Sequence, residues 1–357
     1  MKSPHILVVG LNHRTAPLDL RERLAVPLNA MPEALTTLRN RVGASEAVIL
    51  STCNRVELYT AVDALNGTFE RMTRFLSDRA RLDPGALAPH LYRREAPQSI
   101  RHLFAVTSGL DSMVLGEAEI LGQVKQAYER AQTHGTVGKL FHAMFQRALN
   151  AAKAVRSQTG IGLGASSVGT VAVELAEKIF GSLTGTTTLL VGAGKIGELA
   201  LTHLGARGAR EVRVVNRSFE RAQRVSACGR ASPHPLSTLA DHLVVADIVI
   251  CSTSASNYLL RRAPVAAAMR ARAQRPLCLI DLGVPRNIEP AVDALENVYR
   301  FDLDDLQAFA AQAQAARQHA VAKAEAIIDR KVAHCLTRLT AEVAPCIPWS
   351  LGPAEAA

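Results

Sequence analysis

The chain lacks the spacings that bind metals or staple small folds. Its six cysteines, at 53, 228, 251, 278, 335 and 346, form no Cys-x-x-Cys pair and meet no paired histidine cluster, which argues against a zinc site and a disulfide framework and points to a reducing cytoplasm. Aromatic residues make up only 4%, so no base-stacking platform is signalled. No apolar run approaches a membrane span, and Ile6 to Val9 is too short for a signal peptide, so a soluble, cytoplasmic protein without membrane contact is expected. Acidic residues are outnumbered, 32 against 41 basic, and the surplus is concentrated early: residues 1–160 hold 20 basic and 14 acidic residues. That balance suits a polyanion such as RNA as partner. Between Asp304 and Ala344 there is neither Gly nor Pro, which permits a helix of about 60 Å at roughly 1.5 Å per residue. Its apolar face, including Leu306, Phe309, Ile328, Val332 and Leu336, needs cover from other elements or a second subunit.

What is present divides the 357 residues into three parts. The first ninety alternate strand-like pieces (Ile6 to Val9, Ala47 to Leu50, Glu57 to Val62) with helical ones (Met31 to Arg41, Phe69 to Ala80), an α+β arrangement. Helical periodicity takes over from about Ser99, with Ile120, Val124, Tyr128 and Ala131 on one face and Leu140, Phe141, Met144, Phe145 and Ala148 on the next. Gly160, Gly162 and Gly164 mark a boundary. Residues 187 to 301 then alternate apolar strands and amphipathic helices, the rhythm of a doubly wound parallel sheet.

Within that repeat, the strand Leu189-Leu190-Val191 runs into Gly192-Ala193-Gly194-Lys195-Ile196-Gly197 and a helix. A glycine pattern in this context is a dinucleotide site, its pyrophosphate held at the helix N-terminus. An NAD enzyme usually ends the second strand with Asp or Glu to hold the ribose hydroxyls; here Asn216 and Arg217 stand there, followed by Arg221 and Arg224. A guanidinium grips the 2′-phosphate that a carboxylate would repel, so NADPH is favoured. Arg221 and Arg224 are equally well read as a solvated helix face.

Among the cysteines, Cys251 and Cys278 lie in apolar strands and Cys335 in the long helix, whereas Cys53 has polar neighbours directly after a strand. Arg55, two residues on, would favour its thiolate. From position alone, a buried structural cysteine is the commoner reading.

Further motifs settle the alternatives. Gly10 to Pro17 (GLNHRTAP), Leu20 to Arg23 (LRER), Ser51 to Glu57 (STCNRVE), His102 to Phe104 (HLF), Gly109 to Glu117 (GLDSMVLGE), Ile120 to Lys125 (ILGQVK) and Val284 to Arg286 (VPR) together resemble glutamyl-tRNA reductase, over about residues 5 to 340. The resemblance implies that Cys53 attacks the ester of glutamyl-tRNA and that NADPH reduces the resulting thioester to glutamate-1-semialdehyde, the first step of five-carbon tetrapyrrole synthesis. It implies substrate contacts at Thr52, Asn54, Arg55, Ser112, Glu117, Ala118, Glu119 and Gln123, with Arg55 holding a substrate carboxylate and Glu117 the α-ammonium group. His102 corresponds to a histidine linked to activity, as an acid/base or an orienting group. Ser112 is equally consistent with an N-cap of the following helix. The resemblance also implies a homodimer and an aminomutase that receives the semialdehyde.

There are departures from the family's pattern. Ala118-Glu119 replaces a common Pro-Gln, Asn257-Tyr258 a Pro-containing stretch, and Asn287 an acidic residue; the sequence also ends soon after Pro345 to Pro348, where relatives have further dimerisation helices. The expected architecture is therefore an α+β catalytic, tRNA-binding domain (1–160), a Rossmann-type NADPH domain (161–302) and a long helix forming a shortened dimerisation domain (303–357). Two other readings are a small-molecule NADP dehydrogenase of the shikimate type, which shares the Asn-Arg-Ser strand end but leaves the Cys53 motif unexplained, and a non-catalytic tRNA-binding relative.

Overall fold

The computed structural model describes residues 4–159, 161, 167–209, 211–227, 231–313 and 318–342. Gly160, Gly162, Gly164, Cys228, Cys346 and the tail beyond 342 lie outside these residues. The chain divides into two compact units, residues 1–165 with 314–357, and residues 166–313.

The first unit begins with β1 (His5–Asn12), α1 (Leu18–Leu24), α2 (Met31–Val42), β2 (Ala44–Ser51), β3 (Arg55–Val62), α3 (Thr68–Ala80), α4 (Pro84–Leu87) and β4 (Tyr92–Glu95). The strands pair antiparallel in the order β2-β3-β1-β4, the split βαββαβ arrangement. Strand β3 is buried at every position, Arg55, Glu57 and Thr60 included, so its polar side chains must find partners inside the unit. α2 shows why local sequence becomes structure here. Met31, Ala34, Leu35, Leu38 and Val42 recur at helical spacing on its buried face, and Gly43, at φ 68°, ends it in the left-handed conformation. Three further helices follow: α5 (Gln98–Thr107), α6 (Glu119–Thr133) and α7 (Lys139–Thr159). Glu46, on β2, accepts from the amides of Gly138 (2.8 Å), Leu140 (3.1 Å) and Phe141 (2.8 Å), so a buried strand carboxylate caps the start of α7.

The second unit comprises α8 (Val168–Phe180), β5 (Thr187–Val191), α9 (Lys195–Ala206), β6 (Glu211–Asn216), α10 (Phe219–Ala227), β7 (Ala231–Pro235), α11 (Leu239–Val245), β8 (Ile248–Cys251), α12 (Arg262–Ala271), β9 (Leu277–Asp281), β10 (Val298–Phe301) and α13 (Leu303–Ala313). Its sheet is parallel, in the order β10-β9-β8-β5-β6-β7. This is the doubly wound order, with its switch point between β5 and β8. β7 reads Ala-Ser-Pro-His-Pro and carries no strand signal; two prolines without amide donors are tolerated because it is an edge strand.

The last helix described, α14 (Gln318–Glu342), corrects one expectation. Its apolar residues Ala324, Ile328, Val332, Cys335, Leu336 and Leu339 are buried in the core of the first unit, against α5 and α7. Truncating Leu336 to Ala would cost about 2–5 kcal/mol. α13 instead packs Leu303 and Leu306 within the second unit, beside α8. The two helices thus join different units rather than forming a third part, and the apolar stripe of α14 is covered by its own chain.

Candidate active site

β2 ends at Ser51 and β3 starts at Arg55, so Thr52, Cys53 and Asn54 form the tip of a tight hairpin. The Thr52 hydroxyl accepts from the amides of Asn54 and Arg55, both at 3.2 Å, a local turn that a threonine side chain readily makes. Thr52 thereby shapes the loop that presents Cys53. Asn54 is buried; its carbonyl accepts from the His13 amide at 2.9 Å and its side chain from Arg21. Cys53 as a residue is half-buried at this tip.

The electrostatics differ from the sequence expectation. Burial, reinforced by Glu117 and then Glu119, pushes the Cys53 thiol up to about 12, and the cation acting against this is Arg21. Arg55 is committed elsewhere. Its Nη1 donates to Glu57 Oε1 at 2.6 Å and to Asp111 Oδ2 at 3.1 Å, and its Nη2 donates to the Asp111 carbonyl. Burial opposes its charge, but Glu57, Tyr92 and Asp111 outweigh that effect and hold the guanidinium fully protonated. Arg55 therefore does not activate the thiol as expected from sequence spacing, because a fully buried guanidinium satisfies its own carboxylate partners first.

Glu57 is the hub of this network. Fully buried, it accepts from Arg55, Tyr59, Tyr92 and His102. Burial alone would raise its pKa; His102 and Arg55 reverse this and hold it well below the usual carboxylate range. His102 Nε2 lies 2.9 Å from Glu57 Oε1, and since an ionised carboxylate only accepts, that nitrogen carries the proton. The histidine thus faces the hub of the network rather than a reacting atom.

The segment Asp111 to Glu119 forms the other wall. Gly116, at φ +77°, is required: a Cβ there would lie 2.2 Å from the Ile161 carbonyl oxygen. Arg156 of α7 donates to the carbonyls of Gly116 (3.0 Å) and Glu117 (3.1 Å) and fixes the turn. Ser112, Glu117 and Glu119 are buried, Ala118 is exposed, and Gln123 is half-buried in the first turns of α6. α6 is capped by Ala118, so Ser112 is not its N-cap. Burial and then Glu119 raise Glu117 from the ordinary 4.5 to about 7, with Ser112 and Arg55 pulling the other way. The thiol and the carboxyl, each disfavoured in its charged form by burial and by Glu119, are therefore both biased toward their protonated forms.

A second site lies at the switch point of the second unit. A cleft of about 590 Å³ is lined by Gly192, Ala193, Gly194, Asn216, Arg217, Ser218, Arg221 and the Ser252 to Ala255 turn, with neither Asp nor Glu among its lining residues. Gly192, at φ +113°, could bear no side chain, since a Cβ would sit 2.3 Å from the Ser252 carbonyl oxygen. Gly197 lies outside the lining and instead allows α9 to approach β5, its virtual Cβ being 3.0 Å from the Gly192 oxygen. Lys195 and Ile196 are likewise outside the lining, whereas Arg221 belongs to it and Arg224 does not. The glycine cradle, the N-terminus of α9 and the free arginine edge fit a dinucleotide with a 2′-phosphate.

Arg21, His13 and Asp111 lie within the sequence motifs, but their roles emerge only from the fold. Arg21 shares the buried face of α1 with Leu18 and Leu24, a helical spacing that could have flagged it. Burial, then Arg55 and Arg14, lower His13 to about 4, so a neutral imidazole stands beside the hairpin. Tyr92 was missed with β4, a four-residue edge strand rich in arginine.

Both units match known families. Residues 9–159 match the family model of the glutamyl-tRNA(Glu) reductase N-terminal domain, and residues 174–309 that of shikimate/quinate 5-dehydrogenase. "Glutamyl-tRNA reductase 2" of Anaeromyxobacter dehalogenans is 44% identical, covering 92% of this chain and 72% of its own. Glutamyl-tRNA reductase of Geobacter metallireducens is 43% identical, covering 92% and 76%. Among solved structures, the Methanopyrus kandleri glutamyl-tRNA reductase superposes with a TM-score of 0.51 at 34% identity, covering 96% of this chain and 81% of that one.

Proposed function

Since the chain belongs to the glutamyl-tRNA reductase family, we propose that its NADPH-dependent reduction of glutamyl-tRNA to glutamate-1-semialdehyde proceeds through a thioester on Cys53. The observation that carries the residue assignment is the hairpin tip. Of the four cysteines placed among the described residues, Cys53 alone is partly open, while Cys251, Cys278 and Cys335 are buried. The same feature weighs against a shikimate-type dehydrogenase, which has no use for a thiol in the first unit.

In this reading, Cys53 sulfur forms a bond to the glutamyl carbonyl carbon, the bond from that carbon to the tRNA ribose oxygen breaks, and the thiol proton passes by way of Glu117 to the leaving oxygen. NADPH, held by Gly192, Ala193, Gly194, Asn216 and Arg217, supplies the hydride that converts the thioester to aldehyde, after which the carbon–sulfur bond breaks and the thiol is restored. Arg55, already held by Glu57 and Asp111, braces the wall that meets the substrate rather than gripping its carboxylate, and His102 is tied to the same Glu57; Ser112, Ala118, Glu119 and Gln123 line the amino-acid end, and Thr52 and Asn54 hold the loop. The first unit is the catalytic, tRNA-binding part and the second the cofactor part.

Two protein contacts complete the proposal. A homodimer rests on the family resemblance, and an aminomutase partner on the product, a free α-amino aldehyde that condenses with itself in water. Sedimentation of the chain over a range of dilutions, alone and with the aminomutase, tests both. No helix of the described residues is long and apolar enough to cross a membrane, and a cytoplasmic location follows from the tRNA substrate. The deciding experiment is Cys53→Ser: semialdehyde formation from glutamyl-tRNA and NADPH should vanish while both ligands still bind. Substantial residual activity would end the thioester reading.

A further inference from the structure

Arg21 is 1% exposed, and its side chain lies against the nucleophile loop rather than on the surface. Its Nε donates to the Ala16 carbonyl at 3.2 Å; its Nη1 donates to the Cys53 carbonyl at 2.9 Å and to Asn54 Oδ1 at 3.3 Å. Three acceptors from two loops thus converge on one guanidinium. An ammonium is a point donor and could not span them, so the residue type is explained by geometry. Burying a charged side chain here is costly unless those contacts matter for the native state.

We infer that Arg21 is the positioning residue of the nucleophile: it fixes the Thr52 to Asn54 loop through the Cys53 carbonyl and brings a positive charge to that loop. This deepens, and rests on, the reading of Cys53 as nucleophile. The charged groups that act on that thiol are Glu117 and Glu119 from the opposite wall and Arg21 from α1, and only Arg21 favours the thiolate. Arg55, the arginine adjacent in sequence, is occupied by Glu57 and Asp111. The division of labour is that Arg21 serves the loop of Cys53 and Arg55 the buried Glu57–Asp111 network.

The test uses the full chain and three readouts. Arg21→Met, which keeps length and removes the charge, should lower kcat about 10- to 100-fold, the range for a lost hydrogen bond to a charged group, while KM for NADPH stays unchanged. Alkylation of Cys53 by iodoacetamide at pH 9, followed by peptide mass spectrometry, should slow about threefold or more, the change that half a pK brings. Arg21→Lys should restore the alkylation rate, because the charge returns, yet leave kcat low, because one ammonium cannot hold the loop. Should Arg21→Met fail to give a native circular dichroism spectrum, the lysine variant alone decides. A normal kcat in Arg21→Lys, or unchanged alkylation and kcat in Arg21→Met, would overturn the inference. Failure of the underlying reading is distinguishable, since it shows as activity in Cys53→Ser whatever Arg21 does.

Discussion

Glu117→Gln should make the protein more stable and less active, and the stability gain should depend on pH. Burial and Glu119 hold this carboxyl at about 7 instead of 4.5. The sign follows from linkage. An acid whose folded pKa is raised binds more protons folded than unfolded between those two values, so its ionisation opposes folding; the penalty is absent below pH 4.5, grows up to 7 and is constant above. The two values give about 3 kcal/mol at pH 8 and about 1 kcal/mol at pH 5. Glutamine does not titrate and removes that penalty. Any fixed loss, such as the interaction with Ser112, is the same at both pH values, leaving a difference of about 2 kcal/mol, or about 4–8 °C in Tm for a unit of this size. The assay is thermal unfolding of wild type and variant at pH 5 and pH 8, following the transition that saturating NADP+ does not shift, since the cofactor stabilises only the unit that binds it. Equal changes at both pH values would refute the burial argument. Semialdehyde formation should fall at both, because the proposed proton relay loses its carboxylate.

Two other outcomes concern the second unit. Arg217→Ala should raise KM for NADPH but not for NADH, with a cost of about 1.5–3 kcal/mol for the lost partner of the 2′-phosphate; equal effects on both would show that Arg217 does not read the phosphate. Gly192→Ala should abolish NADPH binding and destabilise the unit by at least about 2 kcal/mol, as measured by calorimetry, because its Cβ would collide with the Ser252 backbone; retained affinity would remove the cradle from the site.

How much of this the sequence disclosed depended on the kind of signal involved. The parallel strands β5, β8 and β9 and the helices α2 and α3 were legible because their apolar runs or helical spacing are set by burial, which composition records directly. β7 and β4 were not, since an edge strand needs neither apolar residues nor amide donors along its whole length, and arginine or proline there leaves no pattern to read. The switch-point cleft was legible for a similar reason: Gly192 and the missing acidic residue at Asn216 are local demands of backbone geometry and charge. The partners of Cys53 were harder. Arg55 is two residues away and Arg21 thirty-two, yet the hairpin sends the near arginine into Glu57 and Asp111 and leaves the far one at the loop. Sequence distance is no measure of electrostatic distance once a turn intervenes. The α14 stripe failed as evidence for a second subunit because periodicity shows that a face must be covered and not by what.

The state of the thiol bears on how the reaction can start. At about 12, Cys53 is almost wholly protonated at neutral pH, so a preformed thiolate is not its resting form. Passing the proton to Glu117, itself raised to about 7, is uphill, yet the same step neutralises one of the two carboxylates that disfavour the thiolate. Substrate acts on the remaining charge: an ammonium group brought against Glu119 offsets the other carboxylate that disfavours the thiolate, while Arg21 keeps its place at the loop. A protein built this way holds its nucleophile inert toward adventitious electrophiles and raises its reactivity only when an amino acid occupies the site. The arrangement trades a permanently ionised thiol, which oxidises readily, for one whose ionisation is coupled to the substrate's own charge.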